Sequence, residues 1–147
     1  MKRFLNWLAI PLLLINGIGA LFGGWNLMTY PDGSSLQIST DWLRYSPFSD
    51  FLIPGIILFT MNGICSFIVI ITLAYKYKHY PLFVIGEGVI LLGWILIQII
   101  LLREFNTLHL AFGSIGFLLI LCGRKLRSIE TIQNLIFQTS YIKEYES

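Results

Sequence analysis

Crossing roughly 30 Å of hydrocarbon takes about 20 helical residues, and every backbone polar group must be satisfied inside the segment that crosses. Four stretches meet that demand: about Phe4 to Met28, Phe51 to Tyr75, Leu82 to Leu102 and, shorter, Leu108 to Gly123. They take up most of a chain of 147 residues, 56% hydrophobic and 12% charged, with a mean hydropathy of +0.75. Soluble domains carry roughly 25% charged residues, so much of this surface faces something other than water. The pattern predicts an all-α integral membrane protein: an antiparallel four-helix transmembrane bundle over residues 1–123, a structured loop between the first two helices, and a basic, amphipathic tail over 124–147.

Basic residues give the direction. Lys2 and Arg3 precede the first span, Lys76 and Lys78 lie between the second and third, and Arg124, Lys125 and Arg127 follow the fourth, against Arg44 and Arg103 on the other side. The positive-inside rule then places both termini in the cytoplasm, and the 30–50 loop and the short 103–107 turn outside. The run from Lys2-Arg3 to Gly17-Ile-Gly-Ala20 also has the outline of a secretory signal. Apolar character continues through Leu21, Phe22 and Trp25, which favours a retained helix over a cleaved one.

Helix ends are marked locally. Pro81 stands where span 3 begins and its missing N–H costs nothing. Ser49 or Asp50 is placed to cap span 2, with Pro54 in its first turn. Pro11 falls inside span 1 and predicts a bend there.

In lipid, helices associate through close backbone approach and occasional polar contacts, because apolar burial offers little between them. Asn16, Gly19, Ala20 and Gly23 share one face of span 1, and Gly19-x-x-x-Gly23 is a GxxxG match. Asn62, Gly63 and Ser66 group on span 2; His109, Gly113, Gly116 and Gly123 fall on one side of span 4. These read as packing faces, with a second copy or a partner protein as the rival occupant of the GxxxG face. The amides of Asn16, Asn62 and Gln98 lie deep and are expected to bond inside the bundle or to line a polar pocket.

Span 3 also holds a carboxylate, Glu87, about 9 Å along the helix from Pro81 at about 1.5 Å per residue. One reading pairs it with Lys76, Lys78 or Arg124. The other uses its helical stripe: Glu87, Leu91, Trp94 and Gln98 recur at intervals of four, three and four residues, as the wall of a ligand cavity or proton path would. Intramembrane acids are functional hypotheses by default.

Other chemistry is sparse. Cys65 and Cys122 lie in apolar segments without a CxxC pair and read as small buried hydrophobes. His79 and His109 are far apart, so neither a zinc cluster nor a haem pair is expected, and no cofactor or metal. His109 and the Arg103-Glu104 pair read as interfacial. A net charge of +2 argues against a nucleic-acid binder, which would show a clustered basic surface.

The loop YPDGSSLQISTDWLRYSPFSD, residues 30–50, opens on a turn at Pro31-Asp32-Gly33. Leu36, Ile38, Trp42 and Leu43 are too apolar for a solvated linker; the loop is expected to fold over the helix ends as a lid or to bind a ligand. PDGSSL at 31–36 followed by SPFSDFLIPGIILFTMNG at 46–63 resembles a signature of small bacterial four-span membrane proteins, loosely similar to the DoxX-like group. The resemblance rests on Asp32, Gly33, Ser35, Leu36, Pro47, Phe48, Asp50, Phe51, Pro54, Gly55 and Gly63, with the Trp94–Gln98 spacing, and does not extend to the tail. It implies a fold and a location, the bacterial cytoplasmic membrane, and no particular chemistry. On these grounds the expected function is a non-enzymatic binding or accessory component of the membrane, acting with the lipid bilayer and as a homo-oligomer or with a partner membrane protein. The alternative is a small proton-coupled transporter or membrane redox enzyme built around Glu87, with Asn16, Asn62, Trp94 and Gln98 as its polar pocket and Asp32, Phe48 and Asp50 in the outer loop.

In the tail, Leu126, Ile129, Ile132, Ile136 and Ile142 can share a helical face behind Arg124, Lys125 and Arg127. That pattern fits a short helix on anionic lipid, or equally a positive stop signal with a partly ordered end.

Overall fold

The structure is a computed structural model that describes residues 1–103 and 105–145, with side chains through residue 140 apart from Glu104. The Arg103-Glu104 pair therefore falls partly outside the described residues, as does Ile142. The described chain is helical with no strand. Its four long helices are α1 (Lys2–Thr29), α2 (Leu52–Ala74), α3 (Tyr80–Leu102) and α4 (Thr107–Tyr145), all long and apolar enough to cross a membrane.

Local chemistry explains the helix ends. The Asp50 Oδ1 accepts the amide of Leu52 at 3.0 Å, and Pro54 sits in the first turn of α2. Pro81 occupies the first turn of α3, preceded by His79 at φ 65°. Asn106 Oδ1 accepts the amides of Leu108 and His109 at 3.0 and 3.2 Å and caps α4, a role the sequence reading did not assign. Pro11 lies inside α1 without ending it.

Two features depart from expectation. Within α2, residues Leu58–Ile64 form a π-helical segment, which no local sequence signal announced. Such bulges insert a residue into the turn and cluster at functional sites. And α4 does not stop near Gly123: it continues for 39 residues, about 58 Å at the usual rise, so the boundary expected at 123 falls inside one continuous helix. Leu126 is buried against α1 and α3, while every residue from 131 to 140 is exposed, Ile132 and Ile136 included.

Glycines set the register. A Cβ on Gly24 would stand 2.7 Å from the backbone nitrogen of Phe59 and 2.8 Å from the Gly55 carbonyl; one on Gly17 would meet Phe67 at 2.9 Å. Gly63 faces Leu21 in the same way. On the other side, Gly88 stands against the carbonyl of Gly116, and Gly123 against Pro81 and Ile85. The tight face of α1 is thus Gly17 and Gly24. The Gly19 and Gly23 face, expected to carry the packing, is looser: Cβ atoms there would meet only the tips of Phe112 and Leu58, at 3.2 and 3.4 Å. Gly113, placed on the packing side of α4, has nothing within 4 Å.

Two apolar clusters lie at the two ends. Ala9, Leu13, Val69, Leu73, Tyr80 and Val84 join Leu119 and Leu126 at the end that carries the N-terminus. Leu27, Leu43 and Phe51 form the other, with the loop folded onto it. The helix exteriors remain apolar and exposed, as at Ile18, Phe22, Leu96, Ile100 and Phe117.

These approaches make a testable contrast. Gly24→Ala is expected to destabilise by about 1–3 kcal/mol through overpacking. Gly86→Ala and Gly113→Ala, which open onto free space, should be neutral or stabilising by up to about 1 kcal/mol from helix propensity. Thermal unfolding of the three variants in detergent measures both.

Candidate functional site

Between the two apolar clusters lies a buried polar layer. Asn16 is 1% exposed, Asn62 and Ser66 0%, and Glu87 2%. They come from α1, α2 and α3, where small neighbours let the backbones approach. Ser66 Oγ donates to Glu87 Oε1 at 2.8 Å, and Asn16 Nδ2 donates to the same oxygen at 3.1 Å. Asn16 Nδ2 also lies 2.9 Å from Ser66 Oγ and 3.4 Å from the carbonyl oxygen of Asn62.

The partners of Glu87 are therefore neutral. The ion pair expected with Lys76, Lys78 or Arg124 is not formed; Lys76 and Lys78 sit in the turn beyond α2, and Arg124 is exposed on α4. Asn62 stands apart. Its side-chain oxygen and nitrogen are both buried and have no hydrogen-bond partner. The expectation that each deep amide bonds inside the bundle thus holds for Asn16 and fails for Asn62. Gln98 is only partly buried and also makes no hydrogen bond among the described residues.

Toward the loop, the helices part around a cavity of about 450 Å³. Asn16, Gly19, Ala20 and Gly23 form its α1 wall; Leu91, Trp94 and Gln98 form the α3 wall. His109 and Phe112 of α4 close another side. His109 is held by its own cap: its Nδ1 accepts the amide of Asn106 at 3.2 Å. So the α1 face of small residues makes room for a cavity more than it makes a helix contact. The expected Glu87–Leu91–Trp94–Gln98 stripe divides: the last three line the cavity and Glu87 does not. Asn16 alone belongs to both the cavity wall and the polar layer.

The loop forms the roof. The amide of Phe51 donates to the carbonyl of Pro31 at 2.8 Å and closes its base. Gly33 takes φ 79°, and a Cβ there would stand 2.5 Å from the Ile38 carbonyl, so the turn needs glycine. Asp32 is exposed and accepts from the hydroxyl and amide of Ser34 at 2.7 and 3.1 Å. Those donors hold its carboxyl below the usual carboxylate value; burial, a lesser influence, opposes them. Asp32 and Asp50 thus shape turns and stay outside the cavity, whereas Phe48 lines it with Leu36, Ile38 and Trp42. Arg103 stacks its guanidinium 4.0 Å from the ring centre of Tyr45 and pins the loop to the end of α3.

Among the described residues no three His, Cys, Asp or Glu side chains gather as a metal cluster would require, and Cys65 and Cys122 are free thiols.

Removing one arm of the polar layer has a predictable cost. Asn16→Leu keeps the branched outline and leaves Glu87 with Ser66 alone; a loss of about 1–2 kcal/mol is expected. Ser66→Ala should cost about the same, and the double variant less than the sum, because both side chains serve one oxygen. Thermal unfolding of the single and double variants reads the coupling.

No protein-family model, curated protein or solved structure matches the chain.

Proposed function

We propose that this is a multi-pass protein of the bacterial cytoplasmic membrane, an antiparallel four-helix transmembrane bundle with both termini in the cytoplasm, which binds an apolar small molecule in the outer half of the bilayer without transforming it. The observation that carries this reading is the cavity. Its size falls in the range of small-molecule sites, and its lining is apolar with a few polar groups, as such sites require. Its walls stand among helices whose outer faces are themselves apolar, so a lipid-soluble molecule could reach it from the surrounding hydrocarbon. Trp94, Trp42 and Gln98 would orient a polar end of the ligand, and the folded loop would exclude water above it.

Occupancy can be read with a dibrominated fatty acid as probe. Trp7 and Trp25 are exposed on α1 and are replaced by Phe, leaving Trp42 and Trp94 as reporters. Saturable quenching is expected, with at least a tenfold weaker response in Gly23→Phe, whose ring would fill the cavity. Quenching that never saturates, or that is equal in the two proteins of matched helicity, would remove the cavity from the function.

Orientation has its own test. A cysteine replacing Ser34 should react with an impermeant maleimide in intact cells, since the loop lies outside in this topology. Reaction only after lysis would reverse the orientation.

A second reading, a small proton-coupled carrier, is favoured by one fact: Asn16 touches both the cavity and the Glu87 carboxylate. In that case ligand uptake into liposomes would depend on a pH gradient and fail in Glu87→Gln.

A further inference from the structure

The polar layer gathers a carboxylate, a hydroxyl and a backbone carbonyl around one amide. Asn16 Nδ2 faces Ser66 Oγ, Glu87 Oε1 and the Asn62 carbonyl at 2.9, 3.1 and 3.4 Å. An amide nitrogen carries two hydrogens, and the Ser66 hydroxyl gives its own to Glu87 Oε1 at 2.8 Å, so every donor of Asn16 Nδ2 and Ser66 is committed within the layer. One of the three oxygens belongs to a carboxylate that has no basic partner in the layer. A buried charge without a counter-charge is costly, so the layer favours either a proton on Glu87 or a cation beside it.

Asn62 supplies the second, independent sign. It is 0% exposed, and neither side-chain heteroatom has a partner. Buried polar groups of that kind call for a ligand, ion or water. Asn62 lies one turn from Ser66 on the same buried face, and its carbonyl already touches the cluster. It also lies in the π-helical segment Leu58–Ile64, where the altered hydrogen-bond ladder changes how carbonyls are engaged.

We infer that Asn16, Asn62, Ser66 and Glu87 form a binding site for one monovalent alkali cation. The oxygen set is hard and mixed: carboxylate, hydroxyl, backbone carbonyl and the free Oδ1 of Asn62. Irregular helix backbone combined with side-chain oxygens inside the helix bundle is the setting in which such ions bind in other membrane folds. One positive charge balances one carboxylate, which a divalent ion would exceed. Among the described residues no three His, Cys, Asp or Glu gather, and the oxygen-only set differs from the nitrogen and sulfur ligands that transition metals favour. Binding requires the Asn16 amide to turn, presenting Oδ1 where Nδ2 now points. The cation site shares only Asn16 with the cavity, since Asn62, Ser66 and Glu87 do not line it.

The test compares thermal unfolding of the purified full chain in NaCl, KCl and choline chloride at equal ionic strength and pH 7.5. A saturable rise in Tm of about 5 °C in sodium or potassium over choline is expected, and the effective salt identifies the ion. Asn62→Ala removes a side chain that bonds nothing, so it should fold, keep its Tm in choline within about 2 °C, and lose the alkali response. Glu87→Gln should lose it as well. Equal Tm values in the three salts would overturn the site, as would an undiminished response in Asn62→Ala. Stabilisation by acid alone, absent from Glu87→Gln and indifferent to alkali ions, would assign the balancing charge to a proton and equally overturn it.

Discussion

The hydrogen bonds from Asn16 and Ser66 to one oxygen of Glu87 fix the level at which three helices meet. That contact matters because the apolar residues cannot do the same work. The exteriors of the helices carry many exposed apolar side chains, so in the membrane setting proposed for the chain a rotation or slide of one helix exchanges one apolar surface for another at little cost. A carboxylate is different. Turning α3 so that Glu87 faced outward would strip it of both donors. The polar layer therefore selects one rotation for α1, α2 and α3, and the glycine contacts on either side of it then fall into register: Gly17 on Ser66 and Phe67, Gly88 on Gly116. The two apolar clusters fill the spaces above and below.

Small residues serve two opposite purposes here, and their spacing does not say which. Gly17 and Gly24 bring backbones to the limit of contact with α2, while Gly19, Ala20 and Gly23, a third of a turn away, leave a volume open. The GxxxG match lies on the second set. Its spacing places two glycines on one face, and it cannot say whether a neighbouring helix or a void occupies that face. What decides is the partner: Phe59 and Gly55 approach at Gly24, whereas Gly23 meets only the tip of Leu58 and lines the cavity together with Trp42 and Phe48.

The helices and most of their ends were legible in the sequence because they depend on short-range chemistry: length and apolarity, Pro81 at a first turn, Asp50 beside Leu52. The loop's inward fold was legible from Leu36, Ile38 and Trp42, which no solvated linker would carry. Glu87 was conspicuous as a charge in an apolar run, but its partner was not, because charge counting favours Lys76 or Arg124 over an uncharged amide 71 positions away. Asn62 looked like Asn16 in sequence, and only the packing separates a bonded amide from an unbonded one. The π segment lacks any local marker. The continuation of α4 past Gly123 was obscured by Arg124, Lys125 and Arg127, which signal the edge of hydrocarbon and say nothing about the end of the helix. A helix of about 58 Å can leave a layer of about 30 Å and continue.

The geometry also limits how the two halves of the site could communicate. The cavity is walled by all four helices and the loop; the polar layer is built from α1, α2 and α3. Their overlap is a single side chain, Asn16. Coupling between two sites requires an element with two arrangements that both sites bias. A primary amide meets that requirement, since its two ends differ in sign and a half-turn exchanges donor for acceptor. With Nδ2 toward Glu87, Asn16 favours a carboxylate without a cation; with Oδ1 there, it favours a cation and turns its donor elsewhere. Whichever group fills the cavity meets the same side chain from the other side, so the state of the buried carboxylate and the occupancy of the cavity cannot be independent unless Asn16 keeps one orientation in both.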